Sequence, residues 1–145
     1  MSKFVFKLQK HLSVKEKIEE QRKLEYGAAL SKLAEERRKE AVLETEKTDG
    51  IDELSRKVRE RITPDLFEIY NNHIEILKKC IIEQQKKVLE AEIFAEEKRI
   101  IVVEAMRETK MLQKLKENDF ELFAEEEKRR EQSSVDEVVS YRYNI

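Results

Sequence analysis

From Tyr70 onward the apolar residues fall at alternating steps of four and three: Tyr70, Ile74, Leu77, Ile81, Gln84, Val88, Ala91, Ala95, Lys98, Val102, Ala105, Thr109, Leu112, Lys116, Asp119 and Phe123. Eleven of these sixteen are apolar, and the register never slips. A 3.5-residue repeat held over about eight heptads predicts an α-helix with a left-handed supercoiling seam. A strand has no use for this period. The β-branched run Ile100-Ile101-Val102-Val103 is therefore read as helical against its propensity.

Thr63-Pro64-Asp65 marks the start of this helix. Threonine suits an N-cap, proline the first helical position, and aspartate the positive end of the helix dipole. Upstream, the apolar residues are sparser. Leu8, Leu12, Ile18, Tyr26, Leu30, Leu33, Leu43, Ile51, Leu54 and Val58 sit near a helical period between charged stretches. Gly27-Ala28-Ala29 forms a patch of small side chains where a partner helix can come close. Thr48-Asp49-Gly50 is read as an interruption or kink, with Asp49 able to cap a new start.

These elements predict an all-α fold, a long two-helix antiparallel coiled-coil hairpin, as one domain over residues 1–145. Helix 1 covers about 4–60 with a break at 48–50, the turn lies at about 61–64, and helix 2 covers about 64–132. The tail 133–145 loses the pattern and is expected to fray. Each arm of roughly 58 residues would be about 85–90 Å long. Neither stripe is stable uncovered, so the two arms are expected to cover each other.

A second stripe runs beside the main seam of helix 2: His73, Cys80, Lys87, Phe94, Ile101, Glu108, Leu115 and Leu122, with Ile69 and Ile76 widening the arc near the turn. Two helices need only a narrow seam. The surplus points to a wide interface, to homo-oligomerisation, or to a partner-docking surface near the tip at Tyr70, His73, Leu77, Cys80 and Gln84.

Composition fits this reading. Of 145 residues, 43% are charged, and there are only 2 Gly and 1 Pro. An ordinary globular domain carries about 25% charge. Charge at this level also suits disorder, but the 39% hydrophobic residues are periodic rather than scattered. The 30 basic and 32 acidic residues are interleaved, as on solvated helix faces, which argues against nucleic-acid binding. The start is the exception: Lys3, Lys7 and Lys10, with Phe4, Phe6 and Leu8 among them, precede the first acid, Glu16. That suits either a first coiled-coil turn or a site for a membrane surface or anionic partner. Cys80 is the only cysteine, which fits a reducing compartment. No secretory signal and no membrane span are read, and a cytoplasmic protein is expected.

Chemistry is scarce. Two glycines cannot build a phosphate loop. His11 and His73 are far apart, so neither a metal site nor a cofactor is expected. His73 and Cys80 lie two helical turns apart, about 10 Å, too far for a nucleophile and its base. No enzyme is read.

Several segments carry a family resemblance. They are the opening Lys3-Phe4-Val5-Phe6-Lys7-Leu8-Gln9-Lys10; Tyr70-Asn71-Asn72-His73-Ile74-Glu75-Ile76-Leu77 with Ile81 and Gln84-Gln85; Val103-Glu104-Ala105-Met106-Arg107-Glu108-Thr109-Lys110 with Leu112 and Lys114-Leu115-Lys116; and Glu131-Gln132 with Asp136-Glu137. The chain resembles the FliJ family, the coiled-coil component of the bacterial flagellar type III export apparatus. The resemblance implies a hairpin similar to the γ-subunit stalk of rotary ATP synthases. Its implied partners are the hexameric export ATPase ring, which it stimulates, the cytoplasmic domain of the membrane export gate, and export chaperones. It implies a place in the cytoplasm, peripheral to the inner face of the cell membrane at the flagellar base, and a role in motility and chemotaxis. A scaffolding coiled coil, or the equivalent stalk protein of a virulence secretion system, is the alternative.

Overall fold

The structure, a computed structural model, describes residues 2–144. It consists of two long helices packed against each other: α1, Gln9–Arg59, and α2, Pro64–Tyr143. Two compact units can be separated. One combines Met1–Arg22 with Val102–Ile145; the other is Lys23–Ile101.

All eleven buried residues of α2 lie on the seam predicted from Tyr70 onward. Of its other positions, Tyr70, Lys98, Lys116 and Phe123 are half-buried and Asp119 is exposed. The β-branched run 100–103 is helical, because burial of Val102 on the seam outweighs weak local propensity.

The seam of α1 takes up half of the predicted stripe: Leu12, Tyr26, Leu33, Leu43 and Leu54 lie on it. Burial follows Leu12, Lys15, Glu19, Arg22, Tyr26, Ala29, Leu33, Glu36, Glu40, Leu43, Lys47, Gly50, Leu54 and Lys57. Seven of these fourteen are charged. Leu8, Ile18, Leu30, Ile51 and Val58, expected on the stripe, stand exposed instead. The regular three-four course of α2 sets the register, and α1 follows it even where its own seam residues are charged. Long side chains make this tolerable, since their stems cover the partner helix while their heads reach water or an opposite charge.

α1 runs through Thr48-Asp49-Gly50 without interruption. The Thr48 hydroxyl donates to the Glu44 carbonyl at 2.9 Å, and Thr45 does the same to Ala41 at 3.0 Å, so both hydroxyls are satisfied within the helix. Gly50 faces Ile74 of α2.

In the unit Lys23–Ile101 the pairing is antiparallel: Gly50 lies against Ile74, Glu36 against Gln84, and Glu25 against Lys98. Its core is Ala29, Leu33, Val88, Ala91 and Ala95. The small residues allow close approach, with Ala29 inside and Gly27 and Ala28 exposed. α1 ends in Arg56, Lys57 and Arg59, cations suited to the negative end of its dipole. Arg61 adopts φ 65°, the left-handed conformation that follows many helix ends, and its N–H donates to Val58 O at 3.2 Å. Thr63 then caps α2: its hydroxyl oxygen accepts from Leu66 N at 3.3 Å and its carbonyl from Phe67 N at 3.0 Å.

In the other unit α1 begins at Gln9 rather than near residue 4. Residues 2–6 form no helix. Phe6 is buried with Leu12 and Leu112, and Phe4 packs beside them. The Phe4 ring meets Phe120 edge-on at 5.4 Å and Phe123 at 5.5 Å. The aromatic residues of the opening segment thus serve as anchors to α2. Thr109, buried on the seam, donates to Ala105 O at 3.0 Å. Toward its end α2 continues past residue 132 as far as Tyr143, and every described residue from Lys128 to Asn144 is exposed.

Candidate partner-binding surface

The five residues expected at a docking surface separate into two groups. Leu77 and Gln84 are buried on the seam against α1, and Tyr70 is half-buried at its beginning. His73 and Cys80 face outward on the neighbouring stripe, and Cys80 carries a free thiol. The helical period explains the division: a step of four from His73 reaches the seam at Leu77, whereas a step of seven returns to the outer stripe at Cys80.

That outer stripe stays largely uncovered by α1. Phe94, Leu115 and Leu122 are about half exposed, His73, Cys80, Lys87 and Glu108 are exposed, and Ile101 alone is half-buried. Near the start of α2, Ile69 and Ile76 are more than half exposed. Val58, Arg61, Ile62, Thr63, Pro64 and Phe67 line a shallow recess at the turn. The apolar surface at this end is therefore carried by Phe67, Ile69 and Ile76 together with the face of His73 and Cys80.

Gln84 has a structural task. Its amide donates to Glu36 Oε2 at 2.5 Å and to the Glu36 carbonyl at 2.9 Å. Lys32 Nζ approaches the other carboxylate oxygen at 3.1 Å. The Gln84 hydrogen bond, then that of Lys32, hold the Glu36 carboxyl below its ordinary value, against the opposing effect of burial. Glu36 escaped the sequence reading because a lone glutamate in a charged helix carries no signal. Gln84 was the available clue, since a polar side chain on an apolar seam needs a partner.

Further ion pairs tie the helices at their edges. In the unit holding the chain start, Lys15 reaches Glu108 at 2.7 Å, which lowers the Glu108 pKa. In the other unit, Arg37 reaches Glu92 at 2.9 Å and Lys98 lies 3.8 Å from Glu25. Among the described residues no group of three or more His, Cys, Asp or Glu side chains could hold a metal ion. No described helix is long and apolar enough to cross a membrane.

The family model described as "Flagellar FliJ protein" matches residues 4–144, nearly the whole chain. The chain belongs to the FliJ family. Neither the curated proteins nor the solved structures contain a match to it. FliJ membership makes this hairpin a protein of flagellar export.

Proposed function

We propose that this FliJ-family hairpin binds and stimulates the hexameric flagellar export ATPase in the cytoplasm, and couples it to the cytoplasmic domain of the export gate and to export chaperones. The family match over residues 4–144 carries the reading. The fold supports it, because a hairpin whose α2 seam is satisfied internally keeps its outer stripe for partners. The face of His73 and Cys80, with exposed Ile69 and Ile76 beside it, is the contact in this reading. Tyr70 borders that face, while Leu77 and Gln84 hold the two helices together beneath it.

The test adds purified protein to the export ATPase of the same organism and follows ATP hydrolysis. Saturable stimulation is expected. The double variant His73→Glu, Cys80→Glu should weaken it at least severalfold while helical content stays unchanged, because both side chains are exposed. A charge at Leu77 would be a poor probe, since it would disrupt the seam itself. No stimulation over a wide concentration range, from a protein shown to be folded, would favour a scaffolding role.

A further inference from the structure

α2 carries another regular apolar course, on the side away from α1. Ile82, Leu89, Ile93 and Ile100, with Lys86 and Glu96 between them, follow alternating steps of four and three. At 3.6 residues per turn this course lies about 150° around the helix from the seam with α1. The four apolar residues are 48–56% exposed, all within the unit Lys23–Ile101. Isolated surface leucines and isoleucines are ordinary. Four of them in seam spacing over about 27 Å of helix are a docking pattern.

Charge along its edges selects the occupant. Glu83, Glu90 and Glu97 recur every seven residues along one edge, all exposed. Glu83 pairs only with Lys86, at 3.7 Å, and no ion pair engages Glu90 or Glu97. The opposite edge carries Lys78, Gln85, Glu92 and Arg99. Its charges are already engaged: Lys78 with Glu75, Glu92 with Arg37, and Arg99 through two bonds to Glu96 at 2.6 and 2.9 Å.

A second copy of the chain fits poorly. Antiparallel self-pairing sets the glutamate row against itself. Parallel self-pairing sets it beside Lys78, Gln85, Glu92 and Arg99, whose two cations are both engaged by glutamates of their own helix. A helix with an apolar stripe and a row of lysines or arginines along one edge satisfies both features. We propose that the outward face of α2 from Ile82 to Ile100 is a second coiled-coil seam that takes a basic-edged amphipathic helix from a partner protein. This surface is separate from the His73–Cys80 face, and its test does not depend on ATPase stimulation.

The experiment uses the full chain and a fluorescent synthetic helix of about three heptads, with leucines in seam spacing and lysines along one edge. A twin peptide carries glutamates in place of the lysines. Anisotropy titrations should show saturable binding of the lysine peptide, about tenfold tighter than its twin and weaker at high salt. Ile93→Glu should abolish binding, and Glu83→Lys, Glu90→Lys and Glu97→Lys combined should reverse the preference. Ile93 is solvent-facing, so the helical spectrum should be retained and loss of binding can be read directly. No binding of the lysine peptide, equal binding of both peptides, or binding indifferent to Ile93→Glu would overturn the proposal. So would a concentration-dependent dimer abolished by Ile93→Glu in sedimentation experiments, which would give the face to a second copy.

Discussion

Gly50→Ala should stabilise the protein by about 1 kcal/mol. Gly50 lies inside continuous α1, half-buried on the seam, and its φ is not positive. A methyl group built there meets Ile74 Cγ1 at 3.6 Å, an ordinary van der Waals contact, so no neighbour has to move. Two effects act in the same direction. Alanine loses less backbone entropy in a helix, worth about 0.8–1.0 kcal/mol, and the new methyl gains a packing contact of a few tenths. Gly27→Ala is the internal control: Gly27 is also helical, but a methyl there meets nothing within 4 Å. The two variants should share the entropic gain, leaving their difference to the Ile74 contact. Urea denaturation followed by circular dichroism measures both, with the slope on denaturant unchanged. A destabilised Gly50→Ala beside a stabilised Gly27→Ala would refute continuity at this point, because alanine is penalised where glycine ends a helix in the left-handed conformation.

Three further outcomes follow from individual contacts. Leu112→Ala, which empties the cluster with Phe6 and Leu12, should cost about 2–3 kcal/mol in urea denaturation and free Phe6 to fluctuate; a cost under about 0.5 would mean that the opening segment does not dock. Arg61→Gly should add about 1 kcal/mol by relieving the left-handed strain, and a loss of stability would show that the arginine side chain has a role the backbone conformation does not reveal. Because the Glu36 pKa is lowered, the ionised group contributes stability above the ordinary carboxylate range, and this is lost as pH falls through that range to the lowered value. Urea midpoints across the acid range should therefore fall more steeply for the natural chain than for Glu36→Gln; parallel curves would remove Glu36 from the account.

Legibility differed sharply between the two helices, and the cause is chemical. On α2 the seam residues are themselves mostly apolar, so the period of burial and the period of hydrophobicity coincide, and even Gln84 and Thr109 fall into place by register. On α1 the two periods separate. Lys15, Glu19, Arg22, Glu36, Glu40, Lys47 and Lys57 face the partner helix, while Leu30, Ile51 and Val58 face outward. Reading α1 alone recovers only the apolar half of that seam, Leu12, Tyr26, Leu33, Leu43 and Leu54, because its charged half is defined by the regular surface of α2. The start of the chain misled for a related reason: Phe4 and Phe6 suit a helix start in sequence, but they meet Phe120, Phe123 and Leu112 across more than a hundred residues. Of the candidate docking residues, the sequence did not separate those buried on the seam from those facing outward, since Leu77 and His73 differ only in which side of one helical turn they occupy. The same separation bears on function. A helix with charged residues on its seam contributes less apolar burial than its length allows, so α1 relies on α2 for its cover; the apolar residues α1 leaves exposed, such as Leu24, Leu30 and Val42, follow no regular course, whereas those of α2 fall in two. If the hairpin presents one helix to its partners, the physical expectation is that it presents α2.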